Sequence, residues 1–202
     1  MTETVNRDGW MLCIASDITH LRADERDLRQ DRDLALRASQ TDELTGISSR
    51  RYVMNKLEEM IMRNLPDQPR EGCLCIFDID FFKGINDLYG HQTGDDVLLD
   101  FARRVQPIVR RHDCFGRVGG EEFMLLLPDT SAEEGEGIVR RIMEIVRASR
   151  PLSGAPLFRY TCSAGLATMA VGDSAKVLYA RADAALYSAK QSGRDRIMIG
   201  AR

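Results

Sequence analysis

The stretch Phe115-Gly116-Arg117-Val118-Gly119-Gly120-Glu121-Glu122-Phe123-Met124-Leu125-Leu126-Leu127-Pro128 decides the fold. Residues 115–118 and 123–127 are short apolar runs on either side of a Gly-Gly pair, the pattern of two antiparallel strands joined by a hairpin. Pro128, lacking an N–H for the ladder, ends the second run. Two glutamates stand at the tip.

Upstream, residues 72–77 form a continuous apolar run that ends in acids, as a buried central strand does. Residues 52–64 carry Val53, Leu57, Met60 and Ile61 at helical spacing, closed by Pro66 and Pro69. Residues 94–109 place Val97, Leu98, Phe101, Val105 and Ile108 on one side of a second helix. Downstream, Ser131 and Glu134 have capping-box spacing ahead of Ile138, Ile142, Ile145 and Val146. Phe158, Tyr160, Cys162, Ala164 and Leu166 alternate with smaller or polar neighbours and predict a strand with two unlike faces. Residues 174–191 read as an alanine-rich helix stopped by Gly193, and 196–199 as a last strand. The order β-α-β-β-α-β is that of an α+β, ferredoxin-like domain, a central antiparallel sheet with helices on one side.

The 202 residues fit one domain of about 150 residues plus an attached segment. With 28 basic and 31 acidic residues the formal charge is −3. Nothing suggests a surface for long nucleic acid or an anionic membrane. No apolar run reaches the ~18 residues of a membrane span and no secretory signal opens the chain, so a soluble, cytoplasmic protein is expected. Five cysteines, Cys13, Cys73, Cys75, Cys114 and Cys162, read as free thiols. Cys73 and Cys75 share a strand face, and no second pair or nearby histidine completes a zinc site.

The amino-terminal part divides into residues 1–19, a short segment with an apolar stretch at 9–14, and a charged helical segment over 20–40; the domain follows over 41–202. Leu21, Leu28 and Ala35 recur every seven residues. Two readings stand: a solvated helix packed on its own domain, or a parallel coiled-coil stalk pairing two chains.

The chemistry gathers where the central strand runs out, at Asp78-Ile79-Asp80-Phe81-Phe82-Lys83. Ligands of open α/β sheets bind at such strand ends. A lone acid there ordinarily marks a solvated turn. Here the hairpin predicted beside it adds Glu121 and Glu122. Carboxylate oxygens from two neighbouring strand ends suit Mg²⁺, and glycines let a backbone approach phosphate closely. Metal-assisted phosphoryl transfer uses that arrangement.

Gly119-Gly120-Glu121-Glu122-Phe123, preceded by Arg117-Val118, resembles the signature of the GGDEF family of diguanylate cyclases in its GGEEF form. Further blocks agree in order: Asp42-Glu43-Leu44-Thr45-Gly46, Arg50-Arg51, residues 78–87, Tyr89-Gly90-His91 with Gly94-Asp95, and Ala189-Lys190 with Gly193-Arg194. The resemblance implies a palm-like nucleotidyl cyclase domain preceded by a signalling helix, which condenses two GTP into cyclic di-GMP and two pyrophosphates. It implies two Mg²⁺ per active site, with Mn²⁺ able to substitute. Asp78 and Glu121 would ligate through side chains and Ile79 through its carbonyl, with Asp80 a further acid of the same block. Gly119 and Gly120 would take the α-phosphate, and Glu122 is the candidate to help activate the ribose 3′-hydroxyl. Lys83, Lys190 and Arg194, with backbone amides near Phe81 and Phe82, would hold the outer phosphates; Asn86 and Asp95 would read guanine. His91 reads as structural.

Ile47-Ser48-Ser49 and Gly84 depart from the family's usual residues at places not expected to touch phosphate. Arg110 and Asp113 match the offset of the family's inhibitory product site, with Arg140 or Arg141 as a second contact. The resemblance also implies a homodimer, one half-site per chain, which gives the amino-terminal helix a role in pairing and offers a regulatory protein a place to bind. Residues 9–19 resemble the end of a PAS sensor domain, as though truncated. The competing readings are a non-catalytic cyclic di-GMP receptor and a cyclase of another nucleotide.

Overall fold

A computed structural model describes residues 2–5, 11–14, 40–152 and 157–201. The chain falls into two units, 1–38 and 39–202. In the first, β1 (Thr2–Val5) and β2 (Met11–Ile14) form an antiparallel pair. Apart from Gln40, the helix expected over 20–40 lies outside the described residues, as does most of the PAS-like segment.

The second unit is built on six strands: β3 (Ser48–Ser49), β4 (Gly72–Ile79), β5 (Cys114–Arg117), β6 (Glu122–Pro128), β7 (Cys162–Thr168) and β8 (Ile197–Ile199). Their spatial order is β3-β5-β6-β4-β7-β8. The β5-β6, β6-β4 and β4-β7 pairs are antiparallel, whereas β3-β5 and β7-β8 at the edges are parallel. The sheet is therefore mixed, and antiparallel only at its centre.

All eight residues of β4 are buried, and a strand apolar on both faces must be covered on both. Helices α1 (Arg50–Met62) and α5 (Ala175–Gln191) cover the Leu74 and Ile76 face with Val53, Leu57, Leu178, Ala182 and Leu186. Helices α3 (His91–Val105) and α4 (Ala132–Arg147) cover the Cys73, Cys75, Phe77 and Ile79 face with Val97, Phe101, Val139 and Ile142. The expectation of helices on one side is thus corrected. So is the strand reading of residues 158–161, which approach β7 as irregular chain, and β7 itself is buried throughout instead of having unlike faces. Its small residues admit α5 closely: a Cβ on Gly165 would lie 2.1 Å from the Ala182 carbonyl oxygen and 2.3 Å from the Leu186 nitrogen.

Helix α2 (Phe82–Tyr89) was not expected; at eight residues it is too short to display a period. Helix α3 starts at His91 and gives way at Gln106–Ile108 to a 3₁₀ turn that contains Pro107. Helix α4 opens with the expected capping box: Glu134 N–H donates to Ser131 Oγ, and Ser131 N–H to Glu134 Oε2 at 3.0 Å. Beneath the hairpin, Phe101 of α3 lies 4.5 Å, ring to ring, from Phe123 and 5.7 Å from Phe77. This cluster pins α3 to the strands that carry the acids, since each such aromatic pair adds about 1 kcal/mol beyond its buried area. Cys73, Cys75 and Cys162 are buried free thiols and Cys114 a half-buried one. Among the described residues no helix is long and apolar enough to cross a membrane.

Candidate active site

Asp78 closes β4 on the face covered by α1 and α5, directly across from Glu122 of β6 and Ser163 of β7. Like charges placed opposite each other on a sheet destabilise it, and this pair is removed from water as well. Burial first, then the charges of Glu121 and Glu122, push the Asp78 carboxyl up to about 6 against the opposing pull of Lys190. Lys190, near the end of α5, brings Nζ to 2.6 Å from Asp78 Oδ2. One ammonium among three carboxylates leaves the cluster short of positive charge.

The hairpin tip is held by groups that the sequence shows only as scattered blocks. Val118 N–H donates to the Glu122 carbonyl at 2.9 Å. Arg50 donates to the Val118 carbonyl at 2.8 Å, and Arg117 to the Gly120 carbonyl at 2.7 Å. Arg117 also faces Asp42 at 3.4 Å, and Asp42 in turn accepts from both the N–H and the hydroxyl of Thr45. Neither Gly119 nor Gly120 has positive φ. Turn geometry therefore does not require them. Close approach does at Gly119, where a Cβ would fall 2.5 Å from Glu122 Oε2, and Gly120 leaves open backbone at the tip.

Phe81 caps α2 with φ 57°, left-handed for a bulky residue, and no side chain caps the helix. The uncapped amide end is a place for an anion. The Arg194 guanidinium lies 4.5 Å over the Phe81 ring, and exposed Lys83 sits in the first turn. Asn86 Oδ1 is buried without a hydrogen-bond partner. It occupies the notch left by Gly94, where a Cβ would be 1.9 Å away, which sets Asn86 beside the start of α3 and Asp95. Asp80 shares the face of Asp78, but its oxygens are engaged: Oδ2 accepts from Thr161 Oγ1 at 2.6 Å and Asp195 N–H at 3.1 Å, and Oδ1 from Ser163 Oγ at 2.7 Å.

Residues 39–196 match the family model described as diguanylate cyclase, GGDEF domain. The chain belongs to the GGDEF family. It is 40% identical over 176 residues to the response regulator PleD of Caulobacter vibrioides, covering 85% of this chain and 38% of that one. The coiled coil and GGDEF domain of DgcB from Caulobacter crescentus, solved in complex with c-di-GMP, superposes with a TM-score of 0.82 at 30% identity over 91% of this chain and 97% of that chain. Diguanylate cyclase SiaD of Pseudomonas aeruginosa, solved with its activator SiaC, gives a TM-score of 0.77 at 35% identity over 91% and 70% of the two chains. The chain spans from about a quarter to under half of the length of curated relatives it matches.

Hard carboxylate oxygens short of positive charge fit the divalent cation that GGDEF cyclases use. Among the described residues no three His, Cys, Asp or Glu side chains converge into a cage of their own. Two carboxylates and a backbone carbonyl remain compatible with a hard divalent cation that completes its shell with waters or other oxygen ligands.

Arg110 and Asp113 of this GGDEF domain lie apart from the acids, in a groove of about 800 Å³ also lined by Lys56, Arg103 and Arg111. Asp113 Oδ2 accepts from the Arg110 N–H at 2.7 Å, while its buried Oδ1 has no hydrogen-bond partner. Arg140 is paired with Glu136 on its own helix. Sequence reading missed the bracing by Thr161, Ser163 and Asp195, because hydroxyl and backbone donors far apart in the chain carry no spacing signal.

Proposed function

We propose that this domain is an active diguanylate cyclase that joins two GTP into cyclic di-GMP. The observation that carries the reading is the opposition of Asp78 and Glu122, with Glu121 beside them, next to the uncapped start of α2 and to Lys190 and Arg194. Each ribose 3′-hydroxyl attacks the α-phosphorus of the other nucleotide. The new P–O bond forms as the bond to the β-phosphate oxygen breaks, pyrophosphate leaves, and the hydroxyl proton passes to a base for which Glu122 is the candidate. Asp78, Glu121 and the Ile79 carbonyl would hold Mg²⁺, two ions per site when substrate is bound, and the metal would supply neutralising charge to the triphosphate and polarisation of the α-phosphate. Gly119 and Gly120 let the α-phosphate lie against the hairpin. The α2 amides at Phe81 and Phe82, with Lys83, Lys190 and Arg194, hold the outer phosphates. Asn86 and Asp95 take the guanine edge, where an acceptor for the ring NH and amino group rejects adenine.

Each domain offers one half-site, so catalysis requires two chains facing each other, and the segment over 20–40 is proposed as the stalk that pairs them. SiaD bound to SiaC supports a regulatory protein acting on such a cyclase. Arg110 and Asp113 are proposed to bind product as inhibitor, the Asp113 oxygen that has no hydrogen-bond partner accepting a guanine N–H. A GTP-consuming enzyme places the domain in the cytoplasm.

Incubation of the chain with GTP and Mg²⁺ should yield cyclic di-GMP and pyrophosphate, and Glu121→Ala should abolish product with the melting transition retained. Tight cyclic di-GMP binding without turnover in a forced dimer would replace this reading with that of a receptor.

A further inference from the structure

We infer that Asp80 and Arg147 are positioning residues that grip the loop carrying Arg194 from its two sides. The inference rests on the cyclase reading for its catalytic consequence, though not for its geometry. Gly193, Arg194 and Asp195 have φ of 106°, 60° and 47°, three consecutive residues in left-handed backbone, two of them with side chains. Such residues cost of order 1 kcal/mol or more each and persist only where neighbours over-determine them.

The neighbours are identifiable. From inside the sheet, Asp80 Oδ2 accepts the Asp195 N–H at 3.1 Å. Asp80 is 3% exposed, and Thr161 and Ser163 of the adjoining chain fix its carboxylate through their hydroxyls. From outside, Arg147 at the end of α4 donates Nε to both Asp195 carboxylate oxygens at 2.8 Å, and Nη2 to the Asp195 carbonyl at 3.0 Å. Asp195 is therefore held at its amide, its carboxylate and its carbonyl. The residue before it aims its guanidinium over Phe81 at the start of α2, and four residues further back Lys190 closes α5 against Asp78.

Two of the three cations proposed for the outer phosphates, Lys190 and Arg194, thus leave the chain within five residues of the gripped Asp195. Asp80 lies two residues beyond Asp78 on the same face, yet its engaged oxygens make it a hydrogen-bond hub and not a metal ligand. A carboxamide could do the same work: an Asn oxygen can accept from Thr161 and Asp195, while its NH₂ donates to Ser163 Oγ. This separates positioning from metal ligation, which needs the charge.

The test compares wild type with Asp80→Ala, Asp80→Asn and Arg147→Met, using GTP kinetics, the Mg²⁺ half-saturation point and amide exchange at Asp195. Asp80→Ala should lower kcat/KM for GTP about 10- to 100-fold, the loss of one or two charge-assisted hydrogen bonds, chiefly through KM. Asp80→Asn should recover to within about threefold of wild type at an unchanged Mg²⁺ half-saturation point. The exposed Arg147→Met leaves the core intact, and should raise KM for GTP about 2- to 5-fold even where Asp80→Ala fails to fold. Exchange at the Asp195 amide should quicken in the Ala variant and stay slow in the Asn variant. An Asn variant as impaired as Ala with a raised Mg²⁺ requirement would make Asp80 a ligand and overturn the inference. An unchanged KM in Arg147→Met would overturn it as well. If wild type turns over no GTP the cyclase reading fails, and Asp195 exchange alone decides the grip: slow in Asp80→Ala, or fast in Asp80→Asn, refutes it.

Discussion

Asp78→Asn should make the metal-free protein more stable while removing its activity. In the folded chain the Asp78 carboxyl titrates at about 6 against an ordinary 3.8. Well below pH 4 the group is protonated whether the chain is folded or unfolded, so Asp and Asn differ little. Between pH 4 and 6 the unfolded chain releases its proton and the folded chain keeps it, so wild-type stability falls as pH rises through this window. Above pH 6 the loss is complete and constant. The gap between 3.8 and about 6 corresponds to about 3 kcal/mol. The side chain is only 8% exposed, so solvent screens little of it, and the Lys190 contact is already counted in the net shift.

In EDTA at pH 8 Asp78→Asn should therefore melt several degrees above wild type, on the order of 5–10 °C for a domain of this size. The difference should shrink towards pH 4. Added Mg²⁺ should raise the wild-type Tm by mass action and leave the variant unmoved. Differential scanning calorimetry across pH 4–8, with and without Mg²⁺, reads all three. A variant that melts at or below wild type in EDTA at pH 8, or a gap that persists undiminished at pH 4, would refute the reasoning.

Gly165→Ala forces α5 away from β7, because the new methyl would meet Ala182 and Leu186 backbone at 2.1 and 2.3 Å; an overpacking cost of about 3 kcal/mol is expected in urea unfolding. Asp95→Ala should weaken the preference for GTP over ATP by about tenfold or more, read as a ratio of kcat/KM values. Removal of residues 1–40 should sharply lower specific activity at dilute protein and restore it at high concentration; undiminished turnover when dilute would count against stalk pairing.

The central strand was legible because an unbroken apolar run from Gly72 has one stable home, the middle of a covered sheet. The same run carried a second message: apolar residues at both parities mean two apolar faces, and so helices on both sides. The chain-order motif β-α-β-β-α-β suggested one covered face, while Leu74 and Ile76 demanded the other. Helix α2 and strand β3 escaped for a different reason. Eight residues and two residues are shorter than the window in which a period can be seen, and both exist through tertiary contacts, β3 by pairing beside β5 and α2 by folding back on α3 at the Gly94 notch.

The site divides in the same way. Motif order brought Asp78, Glu121, Glu122, Lys190 and Arg194 onto one list, and the structure gathers them at one end of the sheet. What no spacing revealed is that two acids two residues apart on one face do different work. Asp78 is left with too little positive charge around it, whereas Asp80 is saturated by two hydroxyls and an amide from sequence positions 81 to 115 residues away. The same test separates Glu122 from Glu121. Glu122 is fixed by the register as the cross-strand partner of Asp78 and lies over Gly119, while Glu121 stands just beyond the ladder, its carbonyl accepting from Ile79. A carboxylate's role in this fold follows from which donors the sheet has already assigned to it, and that assignment is made by register, which the linear sequence does not display.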